Sequence, residues 1–423
     1  MTPREIAKLD RELTAYLQSM TNDMGRPERR QAMSLYITGL LLDGERKSVE
    51  PIAARLVDDV SAASAMRQRL QECVANSAWS DDEMRRRLAL KMEAELPGVE
   101  ALVVDDTGFP KKGARSVGVH RQYSGTLGRT ENCQVATSLH LAGEKSSVCI
   151  ALRLYVPEVW AGDEKRRRMV GVPAEVQFLR KWEIALQQID DALAWGVRKH
   201  IALADAGYGD ASEFRDGLTA RGLRYMVGVS SIHTVWPPGA DPRLPERVPG
   251  QPGRPPKRAH DDKHKPISIG ELATTGKYRT VSWREGSRGR MSSRFAFFRV
   301  RSAERRTKGK PPSEEQWLIC EWPEREDKPT KFWLSTLSDE TPHRELVRVA
   351  KLRWRVERDY QDLKGEVGLD HFEGRTWRGF HHHATLCMVA HAFLALRRAL
   401  FPPKPRQVDA ADGSAAAPVH PAL

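Results

Sequence analysis

Lys351 to Lys364 reads KLRWRVERDYQDLK, and Arg353, Glu357 and Lys364 decide how it is understood. At about 100° per residue, steps of four and then seven positions return to within roughly 40° of the starting direction, so these three side chains and Tyr360 share one helical stripe. Val349, Leu352, Val356, Leu363 and Val367 form an adjacent apolar stripe. The helix is therefore expected to pack on a core through one face and to carry a basic, acidic, basic row at its margin. On an arbitrary helix such a row is an ordinary surface ion pair. Two stretches far upstream change that. Val99 to Thr107, VEALVVDDT, is a short apolar run ending in two acids; His200 to Asp210, HIALADAGYGD, is another, ending in one acid and a glycine-rich turn. Two strands and one helix each deliver a carboxylate.

The surrounding composition narrows the partner. A chain of 423 residues has room for two or three structural units. Its net charge of +12, with 11 Trp among many Arg, favours a polyanion, and nucleic acid over membrane. The longest apolar run, Leu35 to Leu42, falls short of a membrane span, and the opening MTPREIAKLDRE is charged, so a cytoplasmic protein with no membrane partner is expected. Cys73, Cys133, Cys149, Cys320 and Cys387 are scattered singly without CxxC spacing, which argues against a zinc ribbon or a disulfide framework.

In chain order, residues 1–96 read as a helical domain. Within it RKSVEPIAARLVDD and MRQRLQECVANSAWSDDEMRRRL fit the two parts of a DNA-reading helix-turn-helix, with a helical cap as the alternative. Residues 97–230 alternate strand and helix, beginning with the acid-tipped strand. The loop after it, GFPKKGARSVGVHRQYSGTLGR, offers Lys111, Lys112 and Arg121 to DNA phosphate. Strand alternation sends Asp105 and Asp106 to opposite faces without saying which enters a site. Residues 231–339 combine a Pro- and Gly-rich loop with a β-rich insertion, whose Trp283, Trp317, Trp322 and Trp333 are candidates for base contact or for core. Residues 340–401 return to α/β structure with a helix over 343–367, and 402–423 form a tail expected to be disordered. His371 and the run His381, His382 and His383 lack metal-ligand spacing, so contacts with phosphate or a polar face are expected of them.

The acid trio and its contexts resemble the Asp, Asp, Glu triad of the DDE transposases encoded by bacterial insertion sequences. The helix resembles that family's signature of Tyr, two residues, Arg, three residues, Glu, six residues, Lys, matched here by Arg353, Glu357 and Lys364. The signature Tyr would fall at Ala350, which leaves its role to a neighbour such as Tyr360. The likeness runs from about Met33 to Leu396 and implies a ribonuclease-H-like α/β fold: a mixed sheet with flanking helices, a β-rich insertion before the Glu helix, and the helical N-terminal domain. It implies catalytic, metal-binding acids at Asp106, which directly precedes Thr107, and at Asp205 and Glu357, with Asp105 in a supporting place. Two Mg²⁺ ions, replaceable by Mn²⁺, would sit on these acids, Asp106 bridging them. Arg353 and Lys364, with Tyr360, Lys111, Lys112 and Arg121, would hold DNA. The implied function is cleavage at the terminal inverted repeats and joining of 3'-hydroxyl ends to target double-stranded DNA, by a homodimer associated with the bacterial nucleoid. The alternatives are a nuclease that cuts without joining, and a non-catalytic DNA-binding protein derived from a transposase.

Overall fold

Local start signals lay out the N-terminal quarter as helices in the computed structural model, which describes residues 2–125, 128–244, 258–286, 289–303 and 312–401. Thr2 and Glu5 close a capping box on α1 (Pro3–Thr21), Pro27 opens α2 (Pro27–Leu41), and Ser80 caps α5 (Asp81–Glu95). Between them lie α3 (Val49–Arg55) and α4 (Ala63–Ala75), separated by a short 3₁₀ turn.

The α/β part follows as β1 (Val99–Pro110), β2 (His120–Ser124), β3 (Arg129–Gly143) and β4 (Ser147–Leu154). The helices α6 (Glu158–Ala161), α7 (Glu164–Met169) and α8 (Lys181–Trp195) lead to β5 (Ile201–Ala204). Then α9 (Ala206–Gly209) and α10 (Ser212–Ala220) precede β6 (Tyr225–Val229). Beyond it come β7 (Thr234–Trp236), β8 (Ile267–Ser268), α11 (Ile269–Thr274), β9 (Arg279–Gly286), β10 (Gly289–Ser302), β11 (Gln316–Trp322) and β12 (Lys331–Ser335). The helices α12 (His343–Leu352), α13 (Trp354–Gly365) and α14 (Trp377–Leu400) complete the described chain.

One mixed sheet joins these strands in the order β2-β3-β1-β5-β6-β12-β11-β10-β7-β8, with β4 also on β3 and β9 also on β10. The β1 strand is antiparallel to β3 and parallel to β5, and β5 is parallel to β6. Because β12 pairs antiparallel with β6, the strands after residue 231 continue the central sheet instead of forming a sheet of their own.

Helix α14 lies at the centre of the packing and is buried along most of its length. Tyr16 of α1 donates to the Val389 carbonyl at 2.8 Å, and Tyr36 of α2 meets His383 at 2.9 Å, so the N-terminal helices pack directly on it. His381, His382 and His383 are buried here, a correction to the polar-face contacts expected from sequence. Pointing in three directions, they bond three different places: Trp377 O and Leu154 N, Val74 O and Trp79 O, and Tyr36 with Gly368 O. Two further expectations change. The loop after β1 contains β2, and the helix over 343–367 is divided at Arg353, which separates α12 from α13. All five cysteines are buried and free. Among the described residues no helix is long and apolar enough to cross a membrane. The tail 402–423 and residues 245–257 within the Pro- and Gly-rich loop lie outside the described residues.

Candidate active site

Strand alternation places the two acids of β1. Ala101 and Val103 pack with Leu346, Val349, Leu352 and Val356 of α12 and α13, whereas Leu102 and Val104 belong to the core on the other side. Asp105 continues the first set and Asp106 the second. The side that receives the Glu357 helices is therefore the side of Asp105. Its Oδ2 accepts from Arg353 Nη1 at 2.7 Å and its Oδ1 from the Asp106 N–H at 2.8 Å. Asp106, the acid expected in the site from sequence, turns its Oδ2 to Lys181 Nζ of α8 at 2.7 Å.

The neighbouring strand supplies the second acid by register. Ala101, Leu102 and Val103 pair with Ile201, Ala202 and Leu203; the same offset carried two residues on brings Asp205 alongside Asp105. Asp205 caps α9 by accepting from Gly207 N at 2.9 Å. That turn is pressed on β6: a Cβ on Gly209 would come within 1.9 Å of the Gly228 carbonyl oxygen. The AGYG motif thus lets α9 approach the backbone of β6 and fixes the acid before it.

The third acid stands in the first turn of α13. Glu357 Oε1 lies 3.8 Å from Arg353 Nη2, and its side chain is 66% exposed, against 13% for Asp105. Asp105, Asp106, Asp205 and Glu357 open on one cavity of about 440 Å³, shared with Arg353, Tyr360 and Lys364. The apolar stripe read from sequence, Val349, Leu352, Val356, Leu363 and Val367, is buried, so the helix pair presents the expected row at the cavity. Among the described residues, no three His, Cys, Asp or Glu side chains are gathered closely enough to form a closed set of metal ligands.

Electrostatics concentrate on Asp105. Burial pushes its carboxyl up to about 6, Arg353 opposes this, and the Asp205 charge adds to it. The Arg353 guanidinium is stabilised as a cation against its own burial by Asp105, Asp205 and Glu357 together. Burial and then the Asp105 charge push the Tyr360 phenol well up, and burial lowers Lys364.

The cations proposed from sequence to hold DNA divide into two groups. Arg353 is engaged by Asp105, Lys364 Nζ donates to Gly108 O at 2.9 Å, and Lys111 Nζ donates to Phe372 O at 3.0 Å. Lys112 and Arg121 are exposed. The tryptophans divide as well. Trp317 is buried and donates to Ser338 O at 3.0 Å, and Trp322 donates to Glu326 O at 2.7 Å. Trp283 and Trp333 face Lys351 of α12 at 4.7 and 5.3 Å, beside its ion pair with Glu321. Trp317 is thus a core residue, while the half-buried Trp283, Trp322 and Trp333 each have a partner within the protein.

Sequence reading missed two features. Trp354, at the start of α13, is flanked by Arg284 at 4.1 Å and Arg355 at 4.4 Å, a basic and aromatic cluster three residues from Glu357. Ser138 and His140, on β3, pair across from Asp105 and Val103 and so share the face of the cavity. The available signal was a polar side chain at two alternate positions in the apolar run VATSLHLAG.

A probable transposase for insertion sequence element IS701 from Microchaete diplosiphon is 28% identical over 209 residues, which are 48% of this chain and 50% of that protein. The chain thus aligns with about half the length of this curated relative. The family model described as DDE superfamily endonuclease matches residues 19–290, which include Asp105, Asp106 and Asp205 and end before Glu357. A match over most of the chain places it in that family: the protein belongs to the DDE superfamily endonucleases.

Proposed function

We propose that this chain is a DNA transposase that cuts phosphodiester bonds at the ends of an insertion sequence and joins the freed 3'-hydroxyl groups to target DNA. One observation carries the reading: acids from β1, from the end of β5 and from α13 open on one cavity with Arg353 among them. The order β4-β3-β1-β5-β6, antiparallel on one side of β1 and parallel on the other, supports a ribonuclease-H-like core. The catalytic trio in this reading is Asp105, Asp205 and Glu357. Asp106, next in sequence, serves as the partner of Lys181 and braces β1 against α8.

The donor set fits a hard divalent cation such as Mg²⁺, with Mn²⁺ as a substitute, since all three side chains offer carboxylate oxygens. Burial first, and then the Asp205 and Asp106 charges, raise Asp105 against the pull of Arg353, and such a cation would favour its ionised form. Asp105, Asp205 and Glu357 would hold a pair of ions, which supply Lewis-acid activation of a hydroxyl nucleophile and stabilisation of the leaving oxygen. Arg353 keeps Asp105 ionised and aimed at the cavity. Lys364, tied to the β1 backbone, sets the distance between α13 and the strand that carries the acid. Exposed Lys112 and Arg121 and the Arg284, Trp354 and Arg355 cluster take DNA phosphates beyond the cavity. Two copies acting together, in the bacterial cytoplasm, would bring two DNA ends into one complex.

The test is cleavage of a duplex carrying the element's own ends, with Mg²⁺ present, by Asp105→Ala, Asp205→Ala and Glu357→Ala. Each should lose at least about 10²-fold in rate, as expected for removing a principal electrostatic contributor. Full activity in any one variant removes that residue from the trio. Cut strands without joined products would favour a nuclease that does not transpose.

A further inference from the structure

The stretch from Lys277 to Arg301, KYRTVSWREGSRGRMSSRFAFFRVR, carries eight Lys or Arg and one acid, Glu285, so it holds more than half of the chain's net charge of +12. It forms the hairpin of β9 and β10, paired antiparallel from Arg279 with Phe295 to Gly286 with Gly289. Two of its arginines are engaged at the far end of β10. Arg299 pairs with Glu315 at 3.3 Å, and Arg301 Nη1 donates to Ser313 O at 3.0 Å. Arg284 of β9 instead reaches α13, where its guanidinium carbon lies 4.1 Å from the centre of the Trp354 ring. Arg355 lies over the same ring at 4.4 Å. Two cations from two separate elements thus share one indole.

No carboxylate balances the pair directly. Among the described residues neither guanidinium forms an ion pair, and Arg355 Nε is closed off from solvent without a hydrogen-bond partner. Glu144, in the β3–β4 turn, and Asp359 act on Arg355 from farther away, and Asp359 is already committed to Ser147 and His140. Half-buried like charges held side by side are costly until an anion joins them. The ring prepares that contact, because a guanidinium laid on an aromatic face keeps its N–H edge free to donate in its own plane. Position says where the anion comes from. Trp354 stands three residues before Glu357, so the two side chains are neighbours about 5–6 Å apart at their Cβ atoms. Arg355 lies beyond the indole, on the side away from the acid. A DNA strand passing Glu357 at about 3.4 Å of axial rise per nucleotide would meet the two guanidiniums a few nucleotides on.

We propose that Arg284 and Arg355 close on a single phosphodiester of the DNA strand entering the cavity, within about four nucleotides of the cut, and so hold the scissile phosphate against Glu357. This rests on the transposase reading of the cavity, and it narrows the cluster's DNA contact to one phosphate shared by the hairpin and the acid-bearing helix. The contact reads charge and position, so it is indifferent to base sequence. No bond is made or broken at it.

The experiment uses the full chain and duplexes carrying the element's ends, each with one neutral methylphosphonate replacing a phosphate at successive positions about the cut. Mg²⁺ supports cleavage, and Ca²⁺ is used for binding. One position should cost wild type at least about tenfold in kcat/KM, as expected for losing a charge-assisted contact. Arg284→Gln and Arg355→Gln should each reduce the penalty at that same position, and the double variant should abolish it there while every other position keeps its wild-type penalty. In Ca²⁺ the salt slope of binding should fall by about one in the double variant, the signature of one phosphate. A fall of about two, or penalties relieved at different positions by the two single variants, would mean separate contacts and overturn the proposal. So would an unchanged slope, or a penalty that survives in the double variant at every position. If Asp105→Ala and Glu357→Ala both cleave normally, the transposase reading of the cavity fails instead, and the same methylphosphonate scan followed by binding in Ca²⁺ still judges the shared phosphate.

Discussion

Asp105→Asn should make the protein more stable while abolishing cleavage. The carboxyl of Asp105 is raised from 3.8 to about 6, and its side chain is only 13% exposed, so the shift is little screened. A group whose folded pKa exceeds its unfolded value adds stability fully below the unfolded value and loses it as pH rises through the folded one. Ionisation at Asp105 therefore costs the fold about 2 × 1.36, or ~3 kcal/mol, once the pH is above 6. Asparagine has nearly the shape of the protonated acid and never ionises. Its advantage should be absent near pH 4, grow between pH 4 and 6, and stay level from pH 6 to 8. Urea unfolding of both proteins at pH 4, 5, 6 and 7.5 measures this directly, with cleavage followed in parallel. Asp106→Asn is the control: it breaks the contact with Lys181, so no gain in stability with pH is expected. An Asp105→Asn protein no more stable than wild type at pH 7.5 would refute the claim that this acid is held at an energetic cost for function.

Removing the cation from the cavity should move the acid limb of activity: Arg353→Gln deprives Asp105 of a charge-assisted contact worth ~1.5–3 kcal/mol, so cleavage should fall off at higher pH than in wild type, and superimposable pH profiles would count against it. Gly209→Ala sets a Cβ 1.9 Å from the Gly228 oxygen; a loss of ~1–3 kcal/mol in unfolding free energy is expected from the overpacking, together with reduced cleavage as Asp205 shifts. Lys351→Met leaves Glu321 buried without its cation and should cost ~3–5 kcal/mol, much of it regained by adding Glu321→Leu; equal unfolding of single and double variants would disprove the coupling. Arg121→Ala should weaken duplex binding alike for all sequences and reduce the salt slope by about one, and an unchanged slope removes Arg121 from the DNA surface.

Much of the site was legible because each acid stands in a context with its own physical signature. An apolar run ending in Asp105 and Asp106, another ending in Asp205 and an AGYG turn, and a helix with a buried stripe could be found one at a time. What could not be read was the relation between them. Which of Asp105 and Asp106 meets Arg353 depends on which face of β1 receives α12 and α13, a tertiary fact absent from strand alternation. His140 and Asp359 are silent in sequence for the same reason, since they are 219 positions apart. The division at Arg353 has no Gly or Pro to announce it; the residue is helical in its backbone angles, φ −55° and ψ −24°, and its side chain is drawn to Asp105. Between base contact and packing for Trp283 and Trp333 the sequence could not choose, because the Lys351 ammonium that lies beside both indoles comes from a distant helix.

That lysine bears on how the insertion and the site work together. Lys351 belongs to α12, while Trp283, Glu321 and Trp333 belong to β9, β11 and β12 of the extended sheet. Two positions on, Arg353 reaches Asp105, and four beyond that stands Glu357. A cation inserted between aromatic faces and paired with a buried carboxylate resists displacement, because separating them exposes the lysine's partners and strands a charge. The extended sheet and the Glu357 helix are therefore expected to move together. The strands after residue 231 consequently do more than lengthen the sheet: they hold α12 at the point from which α13 projects Glu357 toward the cavity lined by Asp105 of β1 and by Asp205 just after β5.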